Sequence, residues 1–126
     1  MVSSGSGVVL TMSASASGLS GRDRLYHRTG GFDVACAAIE EITRTLAGEL
    51  GPSGVRVVCL RSDAIPETWS DQEAPTRTYM DNGTALGRLP TLRQVADAAV
   101  FAASDRAGAM IGTIVNLTCG SIMDSN

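Results

Sequence analysis

Lysine is absent. All ten basic residues are arginines, set against thirteen acidic ones, for a net charge of −3. There is no basic excess and no long cationic run, which argues against nucleic acid or an anionic membrane surface as a partner. Histidine occurs once, at His27, and cysteine three times, at Cys36, Cys59 and Cys119. An odd number of widely spaced cysteines with no CxxC pair argues against a disulfide framework and against a cysteine zinc site, so no metal is expected. The three thiols read as small buried hydrophobes. No apolar run approaches the roughly 20 residues that span a bilayer. The opening "MVSSGSGVVLTMSAS" lacks the basic n-region of a signal peptide, so a cytoplasmic location is expected. What remains is ordinary: 44% hydrophobic and 18% charged residues, a composition that supports a packed core and not disorder. The 126 residues suit one domain, spanning 1–126.

Two segments have helical rhythm. From Asp33 to Leu50, Val34, Ala38, Ile42 and Leu46 recur every four residues, with Ile39 and Leu50 widening the stripe. Glu40 and Arg44 fall i,i+4 on its flank. Asp33 suits the positive end of the helix dipole, and Gly51-Pro52 ends the helix. In "TLRQVADAAVFAASD", Thr91 and Gln94 form a capping box and Val95, Ala99 and Ala102 an apolar stripe. Three short apolar, β-branched runs read as strands: Val8 to Ser13, Val55 to Ser62 and Thr113 to Thr118. Residues Ala14 to Gly31 and Asp63 to Leu89 read as long loops, the second with Trp69 and Tyr79 as anchors of a short helix or lid. The order β-α-β-loop-α-β, with long connections between buried strands, implies an α/β fold of Rossmann-like character. Its partial parallel sheet has about three strands, with helices on both faces.

These residues, in this order, resemble the C-terminal half of the short-chain dehydrogenase/reductase family. "TRTLAGELGPSGVRVVCL" is similar to the family's run from its active-site helix into the next strand. "LPTLRQVADAAVFAASDRAGAMIGTIVNLTCG" is similar to its closing helix, "SD…TG" turn and last strand. The resemblance implies an oxidoreductase using NAD or NADP, in which a tyrosine handles the proton. A lysine four residues later lowers the tyrosine's pKa and holds the nicotinamide ribose, and a serine orients the substrate carbonyl. That spacing sets tyrosine and lysine on one helix face.

Matched position by position, the family's tyrosine falls on Phe32 and its lysine on Cys36. Phenylalanine has no exchangeable proton, and cysteine is neutral and too short to reach a ribose. With no lysine in the chain, no shift of register supplies one. The family's serine falls on Ser13 or Ser15, or even on Ala14. Thr68 stands near the position that binds the nicotinamide amide, and Ser62-Asp63 replaces the family's Pro-Gly. No strand precedes a glycine-rich phosphate turn, since Gly5-Ser6-Gly7 comes before a strand. The chain therefore reads as about half of the family's domain, and no cofactor is expected for it alone.

The first reading is a dehydrogenase-like chain without independent redox catalysis. A second is an esterase-like hydrolase using Cys36 or one of Ser13, Ser15, Ser17 and Ser20, with His27 as base and Asp23 or Asp63 as the acid. No G-x-S-x-G elbow supports it. Arg22, Arg24 and Arg28 read as a solvated loop or as a phosphate or carboxylate clamp. A third reading is a non-catalytic interaction module. A half-sheet leaves a free strand edge and uncovered apolar surface, so a homodimer or larger homo-oligomer is expected.

Overall fold

The computed structural model describes residues 1–19, 29–70 and 74–124. Three strands, β1 (Gly7–Ala14), β2 (Val55–Ser62) and β3 (Ile114–Leu117), form one parallel sheet in the order β1-β2-β3. The register runs from Gly7 opposite Val55 to Ala14 opposite Ser62, and from Cys59 opposite Ile114 to Ser62 opposite Leu117. The α/β, Rossmann-like class expected from the sequence is the class observed. β2 lies in the middle and is almost wholly buried, as a strand covered on both faces must be.

Two long helices cover the sheet, α1 (Phe32–Leu50) and α3 (Leu92–Ala103), with the shorter α2 (Ala74–Asn82) between them in the chain. Strand alternation separates the two faces. Val58 and Leu60 of β2, with Leu10, point to α3, where they meet Ala99 and Ala102 in the apolar core. Cys59 and Arg61, with Thr11 and Ser13, face α1, where Thr11 pairs with Thr43 at 2.7 Å and Ser13 with Glu40 at 2.6 Å. The core is thus apolar under α3 and mixed under α1, where buried Cys36, Ala47, Val57 and Cys59 accompany the polar pairs.

The inward face of α1 differs from the expected stripe. Cys36, Glu40, Thr43 and Ala47 are buried, whereas Val34 and Ile42 are 68% and 52% exposed and Ala38 also faces out. Polar side chains sit inside because each is satisfied there: Thr43 donates to the Ile39 carbonyl, and Glu40 accepts from β2 and from the turn after β1. The expected Glu40–Arg44 pair is replaced by Arg44–Glu41 at 3.1 Å. After α1, Gly51–Ser53 forms a tight turn and Gly54 takes φ +79, where a Cβ would collide with the Gly5 carbonyl oxygen; only glycine lets the chain enter β2 there.

The Thr91–Gln94 capping box forms as read from the sequence. Glu67 adds to it, accepting the Leu92 N–H at 2.8 Å and placing a negative charge at the positive end of α3. At the other end Arg56 donates to the carbonyls of Ser104 and Met110, a cation at the negative end of the helix. No helix among the described residues is long and apolar enough to cross a membrane.

Candidate functional site

The C-terminal ends of parallel strands are where open α/β sheets leave a crevice. Here that crevice is a cleft of about 630 Å³. One wall is the end of β1 and the turn Ser15–Gly18 that follows it, contributing Ala14, Ser15 and Ala16. Phe32, at the first turn of α1, also lines the cleft. Asp63 and Ala64 come from the loop after β2, and Tyr79 and Met80 from α2. Ser121 and Ile122, after β3, complete the rim. The lining is mainly apolar, with a few polar groups that could fix a ligand's orientation.

The positions singled out in the sequence separate in space. Phe32 lines the cleft and is 55% exposed. Cys36, one turn further along α1, is 2% exposed and lies in the core beneath the helix. Ala14 and Ser15 line the cleft, while Ser13 is buried and its hydroxyl donates to Glu40. Ser17 also donates to Glu40, at 2.7 Å. Two of the serines weighed as nucleophiles are therefore committed to a carboxylate. Thr68 ends the turn Pro66–Thr68, donates to the Ile65 carbonyl and lies outside the cleft lining. Asp63 is at the cleft, its Oδ1 accepting the Ala64 N–H at 2.7 Å. His27, Ser20, Asp23, Arg22, Arg24 and Arg28 lie outside the described residues. Among the described residues no group of histidine, cysteine and carboxylate side chains could hold a metal ion.

Beside the cleft is a feature the sequence reading did not find. Arg61 grips Glu40 with two nitrogens, Nε to Oε2 at 2.9 Å and Nη2 to Oε1 at 2.6 Å, and gives Nη1 to Asp124 at 2.8 Å. Burial alone would raise the Glu40 carboxyl. The hydrogen bonds from Arg61, Ser13 and Ser17 outweigh burial and lower it from 4.5 to about 2. The same pairing holds the Arg61 guanidinium above its usual value. A signal was present in the sequence: an arginine near the end of "VRVVCLRS", a strand otherwise bound for the interior, requires a buried anion to meet it.

The family model described as Enoyl-(Acyl carrier protein) reductase matches residues 1–121. A peroxisomal 2,4-dienoyl-CoA reductase of Saccharomyces cerevisiae is 32% identical over 89 residues, which are 68% of this chain and 30% of the yeast protein. A galactitol 2-dehydrogenase of Rhizobium johnstonii is 31% identical over 94 residues, 71% of this chain and 36% of that protein. Among solved structures, a ribose-5-phosphate isomerase from Brucella melitensis superposes with a TM-score of 0.80 at 28% identity, over 96% of this chain and 46% of that one. A 7α-hydroxysteroid dehydrogenase, solved with NADH and 7-oxo glycochenodeoxycholic acid, gives 0.77 at 24% identity over 100% of this chain and 48% of its own, a likeness of fold. The chain thus spans from under a third to about half of the proteins it matches. On the family match over residues 1–121, the order of its strands and helices and the kinship with these reductases and dehydrogenases, the chain belongs to the short-chain dehydrogenase/reductase family.

Proposed function

We propose that this chain, as a folding unit of residues 1–126 in the cytoplasm, keeps the family's substrate-side cleft but does not carry out NAD(P)-dependent hydride transfer on its own. The observation that carries the proposal is the fate of the two dyad positions: the cleft is faced by the Phe32 ring, which has no proton to give, and Cys36 is 2% exposed. A lysine there would have to leave the core to meet a ribose, and no described residue lining the cleft is cationic. The residues present do not fit a nicotinamide dinucleotide held in the family's manner. The test is a fluorescence titration of the purified chain with NADPH and NADH, run beside a consumption assay with an enoyl or keto substrate. Neither saturable binding nor turnover is expected; micromolar binding of either nucleotide overturns the reading.

A second reading, an interaction module, is favoured by the outward face of α1. Val34 and Ile42 flank Ala38 four residues to either side, so two copies crossing antiparallel at Ala38 would set each valine against the partner's isoleucine. The small Ala38 permits close approach, and the exposed Glu41 and Arg44 beside the stripe carry opposite charges. The proposed partner is a second copy of this chain. Multi-angle light scattering should report a dimer that becomes a monomer on Ile42→Glu; a monomeric wild-type chain overturns it.

A further inference from the structure

The four residues after the turn that follows β3 serve the cleft in a way its lining alone does not reveal. Cys119 and Gly120 take φ +55 and +83, two successive left-handed residues that fold the chain back. The returning segment, Ser121–Asp124, lays Ser121 and Ile122 along the cleft rim. It is fastened at three points. The Ile122 carbonyl accepts from Asn116 Nδ2 at 2.9 Å. The Ile122 side chain lies where a Cβ on Gly18 would come within 2.7 Å of its Cδ1, so it sits directly on the turn of the opposite wall. Asp124 accepts from Arg61 at 2.8 Å, with its own side chain 55% exposed.

The buried Arg61–Glu40 pair therefore organises both lips of the cleft. Through Glu40 it reaches Ser17 in the turn Ser15–Gly18, and through Nη1 it reaches Asp124 at the far end of the returning segment. We propose that Ser121–Asp124 is a strap across the cleft, latched by the Arg61–Asp124 ion pair, which opens to admit an uncharged, largely apolar small molecule and closes on it.

The three fastenings differ in strength. The Asn116 bond and the Ile122 contact are partly buried, whereas the ion pair has one end in water, where such pairs are weak and screened by salt. The latch is therefore the fastening that yields first. The cleft wall is mostly apolar, and Ser121 Oγ is buried there with no hydrogen-bond partner among the described residues, leaving one hydroxyl for a polar atom of the ligand. The inference is independent of the redox reading, because a strap can close over a cleft whether or not hydride is transferred in it.

The test uses Nile red, a neutral apolar fluorophore, and stopped-flow association with the full chain. Asp124→Ala should raise the association rate about two- to five-fold at low salt, the range a half-exposed ion pair supports. Adding ~0.5 M NaCl should bring the wild-type rate up towards the variant's and leave the variant unchanged. Asp97→Ala, which removes a more exposed ion pair with Arg93 on α3, remote from the strap, should behave as wild type. Asp124 is half-exposed, so an unchanged circular dichroism melt is expected and separates gating from unfolding. An Asp124→Ala rate equal to or below the wild-type rate with the same salt response, or no saturable binding by either protein, overturns the strap.

Discussion

Glu40 is an acid buried against an arginine, and such pairs are costly to break from one side. Removing Arg61 leaves the carboxylate, among the described residues, with the hydroxyls of Ser13 and Ser17. Arg61→Met should therefore cost about 3–5 kcal/mol in urea unfolding, while the double variant Glu40→Leu/Arg61→Met should recover much of it. A double variant no more stable than Arg61→Met alone would show that the loss came from packing and not from a stranded charge. The pair also sets a pH dependence. The Glu40 carboxyl is lowered from the ordinary 4.5 to about 2 in the folded chain, so the folded state favours the ionised form. That stability, on the order of 3 kcal/mol, is fully present above pH 4.5 and is lost as pH falls from there towards 2. Glu40→Gln lacks this titration, so the gap between it and wild type should hold from pH 6 to about pH 5 and narrow from there to pH 3. Parallel stability curves over that range would place the titration elsewhere.

At the level of elements, α3 shows most directly how sequence becomes structure. Thr91 and Gln94 close the capping box, and Glu67 reaches in from the turn Pro66–Thr68. Thr91→Ala should cost about 1 kcal/mol and lower the melting temperature by a few degrees. Glu67→Gln keeps the hydrogen-bond acceptor and loses the charge at the dipole, so it should cost less. The reverse order would mean that Glu67, and not the box, starts the helix. α3 was legible because its signals are local: a cap, a stripe and a stop within a few residues of one another. The strands were legible for the same reason, and the sequence placed β2 at the bounds observed. α1 was legible as a helix but not in its orientation, because the partners that bury Glu40 and Thr43 come from β1, β2 and the turn after β1, remote in sequence. α2 is the short helix that Tyr79 was expected to anchor within the long second loop, but its bounds were hidden: Pro75 looks like a breaker, yet at the second position of Ala74–Asn82 it falls where proline costs a helix nothing. The cleft was half legible. Phe32 and Ser15 were found through the resemblance and Tyr79 as an anchor in the second loop, whereas Met80 and Ile122 reach the site only through tertiary folding.

At the scale of the whole molecule, three strands make one central strand and two edges. β2 carries most of the fully buried side chains, with Val55, Val57, Val58 and Cys59 all at or below 1% exposure. Its amides should exchange slowest with deuterated solvent, at the free energy of global unfolding. β1 is a different case. It is eight residues long, without charge or proline, and pairs only with β2, so its other edge is open among the described residues. In a parallel strand successive N–H groups point to alternate sides, so half of the β1 amides face β2 and half face outward. Such an edge is a template for another strand, and α1 offers a competing surface in Val34, Ala38 and Ile42. Hydrogen exchange tells the two apart. If self-association runs through α1, alternate amides from Val8 to Ser13 should exchange fast even in the assembled protein, and Ile42→Glu should leave that pattern unchanged while it dissociates the dimer. If the edge is the interface, all the β1 amides should be protected together, and Ile42→Glu should change neither protection nor mass. Uniform protection would therefore overturn the helix-mediated dimer and assign the association to the sheet.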